Sequence, residues 1–189
     1  MEPKSAILDD REVMTLEAFA DTIIPGERRG PHDRAVAGAA AGGGAVASGA
    51  IDLMTSEEGG LAGVLPTLAA GLDEHARDWA ARRGRTLEDG VPAFAALGFD
   101  DRTALAATLM APGNPERELW VPLAMFSVMA WDTGASQHTT DALAGGHPGL
   151  IAMGFTPPGA DGLWRFPDFS YRKVLATVHP HTTESGDPA

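Results

Sequence analysis

The 189-residue sequence predicts an all-α protein: an irregular orthogonal helical domain of about five to six helices, followed by a long ordered C-terminal segment. Three observations support this prediction. Apolar residues recur at three- and four-residue steps in several stretches, each ended by proline or glycine. No stretch shows the period of two that a half-buried β-strand requires with comparable strength. The residues after Gly134 are instead rich in glycine, proline and aromatic side chains.

The first half of the chain predicts three helices. Asp9 or Asp10 caps the first, whose apolar positions fall on one face until Pro25-Gly26 ends it near Ile24. The second spans residues 33–55, where Ala favours a helix but five glycines oppose it, so we expect a break near Gly42–Gly44. The third, residues 61–83, has the most regular apolar stripe, and Gly84 is suited to end it.

The next stretch predicts two short elements and one long helix. Residues 87–98 indicate a short helix or turn, and Asp100 or Asp101 caps a helix that reaches Met110. Asn114-Pro115-Glu116 is typical of a helix start, and the helix that follows extends to about Thr133. Because this last helix is apolar all round, we expect it to be the central helix of the domain.

The C-terminal region has a different character from the helical part. Glycine and proline exclude long regular elements there, yet its apolar content is too high for disorder. We therefore expect an extended segment, residues 145–181, that packs on the domain's own core or on a partner. By the same reasoning residues 1–8 form a flexible tail, residues 9–144 the helical domain and residues 182–189 a disordered tail.

Composition and charge exclude several classes of protein. The chain holds 26 Asp and Glu against 14 Lys and Arg, which gives a formal net charge of −12. Such an acidic surface repels phosphate backbones and anionic lipid heads, so we expect no nucleic-acid partner. The chain contains no cysteine, which excludes disulfides, thiolate metal sites and a cysteine nucleophile.

Apolar segments long enough for a membrane are missing from the sequence. The longest, Leu119 to Trp131, has 13 residues, whereas a spanning helix needs about 20. The first 14 residues lack the apolar region of a signal peptide. Arg28-Arg29 before an Ala/Gly-rich run is only superficially like a twin-arginine signal, because Asp33 and Arg34 interrupt it. We expect a cytoplasmic protein without membrane insertion.

Candidate chemical groups are few. A metal site of two histidines and a carboxylate can be drawn from His138, Asp141 and the His179/His181 pair, but a packed His75 and terminal histidines explain the histidine content better. We predict no metal, cofactor or catalytic site in this chain. The acidic pairs, such as Asp73-Glu74, are interpreted as solvated helix caps and outer faces. Residues 136–140 place hydroxyls beside His138, which favours a hydrogen-bonded knot at a helix end.

Two motifs give the chain a resemblance to a known family. The stretch TLEAFADTIIPG, Thr15 to Gly26, precedes an Ala/Gly-rich helix at 35–54, and GGHPGLIAMGFTPPG spans Gly145 to Gly159. In their order and spacing they resemble the gluconate 2-dehydrogenase subunit 3 family. The twin-arginine signal often seen in that family is absent, and the GLWRFPDFSY stretch ending at Tyr171 resembles a divergent branch without an export signal.

The resemblance implies a small helical accessory subunit. Such subunits form a hetero-oligomer with a larger flavoprotein of the glucose–methanol–choline (GMC) oxidoreductase type, which holds the FAD and performs the hydride chemistry. The resemblance and the aromatic strip together predict the residues that contact this partner, because Trp, Tyr and Arg anchor interfaces. The predicted contacts are His147, Pro148, Leu150, Phe155, Trp164, Arg165, Phe166, Phe169 and Tyr171.

Two other functions remain open at the level of sequence. The chain is alternatively a stand-alone acid/base enzyme that uses His138 and Asp141, which lie three residues apart. A third hypothesis is a structural protein that associates with itself. Activity of the isolated chain distinguishes the first of these, and a stable homo-oligomer distinguishes the second.

Overall fold

The structure is a computed structural model that describes residues 8–24, 44–155, 157 and 160. The chain divides into two units after Phe155. All helices described lie in the first unit, where the described residues form nine α-helices and no strand. The all-α class is therefore confirmed. The helices are α1 (Asp10–Ile23), α2 (Gly44–Ser48), α3 (Ala50–Met54), α4 (Leu65–Arg82), α5 (Ala93–Ala96), α6 (Phe99–Leu109), α7 (Arg117–Thr133), α8 (Thr139–Ala144) and α9 (Pro148–Ala152).

Helix α1 begins with the cap that the sequence predicts. The Asp9 carboxylate accepts hydrogen bonds from the backbone N–H groups of Arg11 and Glu12, both at 2.8 Å. The Glu12 side chain in turn accepts from the Asp9 N–H at 2.8 Å, which completes a capping box. Leu8, which the sequence places in the flexible tail, is buried in the core just before this cap.

Helix α1 occupies the centre of the domain, a place that the sequence assigns to α7. It packs against α2, α3, α4, α5, α6 and α7. Leu16 and Phe19 are fully buried, and the Phe19 ring lies 6.0 Å from that of Phe94 in α5. Helix α7 also contacts several helices but lies at the surface along one side, as described below.

The Ala/Gly-rich stretch forms two short helices in its described part. Gly49 separates α2 from α3 with a left-handed backbone, φ 69°, which glycine adopts without steric cost. A Cβ at Gly49 would also collide with the Ser136 hydroxyl. Helix α5 lies where the sequence predicts a short helix or turn, whereas α8 and α9 arise where it predicts a hydrogen-bonded knot and an extended segment. The described helices thus outnumber the five to six expected.

Helix α4 follows its predicted stripe closely. Leu65, Leu68, Leu72 and Trp79 are buried, whereas the half-exposed His75 lies at the edge of this buried face. Asp73, predicted to be solvated, is buried instead. Its carboxylate accepts a hydrogen bond from the Phe94 N–H at 2.9 Å and so holds the first turn of α5 against α4.

A buried arginine ties α6 to α1. Arg102 is 2% exposed, and its Nε donates to the Thr22 hydroxyl at 3.2 Å while Nη1 donates to the Leu97 carbonyl at 3.1 Å. Thr22 in turn donates to the Ala18 carbonyl at 2.7 Å. These bonds offset the cost of burying the charged guanidinium, so the removal of one of them should destabilise the fold.

Helix α7 begins later than the sequence predicts. Asn114 and Pro115 belong to the preceding turn, in which the Asn114 side chain accepts from the Glu116 N–H at 2.8 Å. Glu116 is the N-cap residue, and Gly134 ends the helix with φ 59°. No helix among the described residues is long and apolar enough to cross a membrane.

Candidate partner interface

Helix α9 is fixed to the core by a buried histidine. His147, 3% exposed, caps α9 by accepting the Leu150 N–H at Nδ1, 3.3 Å away. With Nδ1 as the acceptor, the proton of the neutral ring is on Nε2, which donates to the Ser48 carbonyl at 3.2 Å. Pro148 in the first turn removes an amide that would otherwise lack a partner. Both ring nitrogens thus attach α9 to its own chain.

Glycine at position 149 permits close contact between α9 and α7. A Cβ there would collide with the Trp131 carbonyl and approach the Trp131 ring within 2.9 Å. Leu150 beside it is 1% exposed. The close approach of the Trp131 backbone leaves no space for a side chain at this position.

The residues after this buried contact present apolar side chains to solvent. Ile151 is 57% exposed, Met153 is 50% and Phe155 is 37%. They follow the buried Leu150 within five residues: Ile151 lies in α9, and Met153 and Phe155 come just after it. This change of character within a few residues defines a surface that the first unit holds in place but does not cover.

A second apolar surface lies on α7. The inner side of this helix buries Trp120, Leu123 and Trp131, whereas Met125, Val128 and Met129 are between 39% and 56% exposed. We call Met125, Val128 and Met129 the outer face of α7. The sequence alone does not single out these residues, because a helix that is apolar all round gives no sign of which side its own chain buries.

The predicted contact residues fall into three groups in the structure. Phe155 is exposed and Pro148 is half-buried, so both are accessible. His147 and Leu150 are buried within this chain. They hold α9 in place and are not accessible to a partner. The remaining five, Trp164, Arg165, Phe166, Phe169 and Tyr171, lie outside the described residues.

The stretch of chain that carries both apolar surfaces has only negative fixed charges. From Glu118 to Phe155 the sequence contains three acids, Glu118, Asp132 and Asp141, and neither lysine nor arginine. The Arg117 side chain, just before this stretch, donates from Nε to the Met110 carbonyl at 3.2 Å. The apolar surfaces therefore lie on a stretch of chain whose fixed charges are all negative.

Polar clusters elsewhere in the first unit are engaged in holding helices together. His75 Nε2 lies 2.7 Å from Oε2 of Glu116, and the Trp120 Nε1–H donates to the same oxygen at 3.2 Å. The hydrogen bond to His75 holds the pKa of the Glu116 carboxyl below its ordinary value, and the Trp120 bond acts in the same direction against the opposing effect of burial. This cluster joins α4 to the start of α7.

A cleft of about 230 Å³ between the start of α1 and α4 is lined by three acids, Asp9, Glu12 and Asp73, together with Arg11 and Arg77. Asp9 and Glu12 form the capping box of α1, and Asp73 accepts the Phe94 N–H. Each of these carboxylates therefore already binds a backbone amide. Among the described residues no group of three or more His, Cys, Asp or Glu side chains is arranged to hold a metal ion.

The residues of the enzyme hypothesis lie at α8. His138 is the N-cap residue, and its Nδ1 accepts the Thr140 N–H at 3.3 Å. This bond agrees with the hydrogen-bonded knot favoured by the sequence. Asp141 is in the first turn of the same helix, where a carboxylate stabilises the helix dipole. His179 and His181 lie outside the described residues.

Two polar residues of the α1 motif, Asp21 and Thr22, are buried where they join α1 to other helices. The Asp21 carboxylate accepts the Ala45 N–H at 2.6 Å, at the start of α2, and Thr22 accepts from Arg102. Asp21 is 2% exposed and Thr22 is 5% exposed. These two residues of the motif therefore join α1 to α2 and α6.

Comparison with known proteins identifies a family without indicating a function. No curated protein and no solved structure matches the sequence. A family model described as a family of unknown function (DUF5987) matches residues 10–189. This match covers nearly all of the chain, so the protein belongs to the family of unknown function DUF5987.

Proposed function

We propose that this chain is a non-catalytic small subunit that binds and stabilises a larger FAD-dependent oxidoreductase of the GMC type, acting on an alcohol or a sugar. The observation that supports the proposal most directly is the set of exposed apolar side chains at Ile151, Met153 and Phe155, directly after the anchored residue Leu150. Exposed apolar groups of this kind mark surfaces that a partner covers.

The polar groups of the first unit support the same proposal. His75, Glu116, Asp73 and Arg102 each bind a residue of a neighbouring element. A side chain held in such a bond contributes to the fold. In this proposal the hydride chemistry takes place at the FAD of the partner subunit. The proposal also rests on the sequence resemblance to the gluconate 2-dehydrogenase subunit 3 family and expects the cytoplasm as the location of the pair.

Co-expression tests the proposal. The chain, carrying an affinity tag, is produced with a GMC-type flavoprotein subunit from the same genome, and the purified material is separated by gel filtration. We expect one peak that contains both chains and shows the absorbance spectrum of a flavin. Two separate peaks would contradict the proposal, as would turnover of an alcohol or sugar by the isolated chain that His138→Ala abolishes.

A double variant tests the predicted aromatic contacts. Trp164→Ala with Phe166→Ala should weaken the complex, since truncation of a buried interface anchor costs about 2 kcal/mol or more. Asp168→Ala with Ser170→Ala, polar changes in the same stretch, is the matched control and should bind nearly as well as the wild type. Unchanged affinity of the aromatic variant would remove this strip from the interface.

A further inference from the structure

The outer face of α7 is an apolar surface that the first unit leaves exposed. Met125 is 56% exposed, Met129 is 40% and Val128 is 39%. Residues three and four apart are neighbours on a helix surface, so these three side chains form one row. Scattered exposed apolar residues are ordinary, but a row on one helix is the pattern of a face that another surface covers.

This row is connected to the surface after α9. Val128 is three residues before Trp131, so the two lie side by side along α7. The Trp131 backbone and ring contact Gly149 of α9, and the exposed residues Ile151, Met153 and Phe155 follow Gly149 within six residues. The outer face of α7 and the end of α9 therefore belong to neighbouring elements that pack directly against each other.

Charge restricts the kind of partner that fits this surface. The stretch from Glu118 to Phe155 contains three acids and no lysine or arginine, and the whole chain has a net charge of −12. A partner with acidic residues around its apolar patch would be repelled, whereas lysine and arginine there would complement the field. An anionic lipid surface is disfavoured for the same reason.

We propose that the outer face of α7 forms a second part of the contact with the flavoprotein subunit, and that its occupant is an apolar patch on that subunit surrounded by lysine and arginine. This inference rests on the proposed function for the identity of the occupant. It extends the interface beyond the predicted residues 147–171 to a helix that the sequence places at the centre of the domain.

Paired charge substitutions test the surface. Met125→Glu with Met129→Glu places two like charges on the outer face, and we expect the Kd for the flavoprotein subunit, measured by calorimetry, to rise at least about tenfold. Val46→Glu with Val64→Glu is the matched control, because these valines are 63% and 49% exposed on α2 and before α4. The control should change Kd less than about threefold, and circular dichroism verifies that both variants fold.

Salt dependence tests the charge of the partner. Opposite charges around an interface are screened by salt, so the wild-type affinity should fall as the salt concentration rises. Glu118→Gln with Asp132→Asn should reduce this dependence, mainly through a slower association rate. An affinity that does not change with salt would overturn the basic surroundings proposed for the occupant.

The outcomes separate this inference from the proposed function. If the wild type binds the flavoprotein subunit and the Met125/Met129 variant binds equally well, the α7 inference is wrong and the proposed function stands. If the wild type binds no flavoprotein subunit, the proposed function is wrong and the occupant named here is wrong with it. Self-association in sedimentation experiments, lost in the same variant, would identify a second copy as the occupant and overturn the proposal.

Discussion

Helices α4 and α7 are almost equal in length but differ in how their apolar residues are used. Helix α4 buries Leu68, Leu72 and Trp79 and presents charged side chains such as Glu74 and Asp78 to solvent. Helix α7 buries Trp120, Leu123 and Trp131 and presents methionine and valine instead. The same inward packing is thus combined with two different outer surfaces.

The comparison of α4 with α7 distinguishes residues that stabilise the fold from apolar residues that remain exposed and available for a further contact. In α4 the apolar stripe of the sequence is the same set of residues that the fold buries, because the other side of the helix is charged and exposed to water. In α7 the apolar content exceeds what the first unit buries. An apolar helix at a surface therefore indicates two packing faces, of which only the inner one contributes to the stability of the isolated chain.

The largest expected effect concerns the inner face of α7. Trp120→Ala removes a 2% exposed indole that packs against His75 and bonds Glu116, so we expect the free energy of unfolding to fall by about 3–5 kcal/mol. Urea denaturation measures this loss. Leu119→Ala is the control, since its side chain is 51% exposed and should matter by no more than about 0.5 kcal/mol. Similar losses from both would show that α7 has no distinct inner side.

The next effect concerns the contact between α7 and α9. Gly149→Ala inserts a methyl group against the Trp131 backbone, so α9 must shift, and we expect a loss of about 1–3 kcal/mol in the free energy of unfolding. Gly63→Ala is the matched control, because a Cβ there meets nothing within 4 Å. Equal thermal midpoints for the two variants would mean that α9 is not held closely on α7.

A smaller effect concerns the bond between α4 and the start of α7. The pKa of Glu116 is lowered from 4.5, mainly by the hydrogen bond from His75. A carboxyl whose folded pKa is lowered adds stability that is present above pH 4.5 and is lost as the pH falls through the folded value. Glu116→Gln should therefore cost up to about 1 kcal/mol near neutral pH, a small amount because both side chains are partly exposed.

The pH profile verifies the origin of that effect. The difference in unfolding free energy between the wild type and Glu116→Gln should shrink as the pH is lowered below 4.5, where the carboxylate becomes protonated. Glu74→Gln, on the exposed side of α4, is the control and should differ little from the wild type. A difference that stays constant down to acid pH would indicate that charge at Glu116 plays no part.

The smallest effect is expected on the outer face of α7. Met125→Gln with Met129→Gln should change the free energy of unfolding by no more than about 0.5 kcal/mol, because about half of each residue is already in water, 56% of Met125 and 40% of Met129. Leu68→Gln and Leu72→Gln on α4 provide the contrast, since burial of an unpaired amide there is destabilising. A large loss from the methionine variant would show that the outer face is part of the fold.

Sequence periodicity predicted the elements with a strong apolar stripe. Asp9, one of the two residues that the sequence predicted as the cap of α1, is the cap, and the buried leucines of α4 were identified by their spacing. Both signals are local, because a cap and a stripe depend on residues within a turn or two of each other.

Features that depend on distant residues could not be predicted. Asp73 is buried because Phe94 supplies a backbone N–H, and the buried Arg102 bonds the distant Thr22 hydroxyl. In both cases the partner lies in another helix. The exposed side of α7 was missed for the same reason, since the placement of α1 at the centre decides which face of α7 is left to solvent.

The methionines on these surfaces are open to chemical change. Met125, Met129 and Met153 are exposed, whereas Met54 is fully buried. Peroxide converts an accessible thioether to a sulfoxide, which adds a polar oxygen to a side chain that otherwise packs against apolar groups. Mild oxidation would thus modify the outer face of α7, the end of α9 and the similarly exposed Met14 of α1 before the buried Met54. The proposed contact with a second molecule would then depend on the redox state of its surroundings.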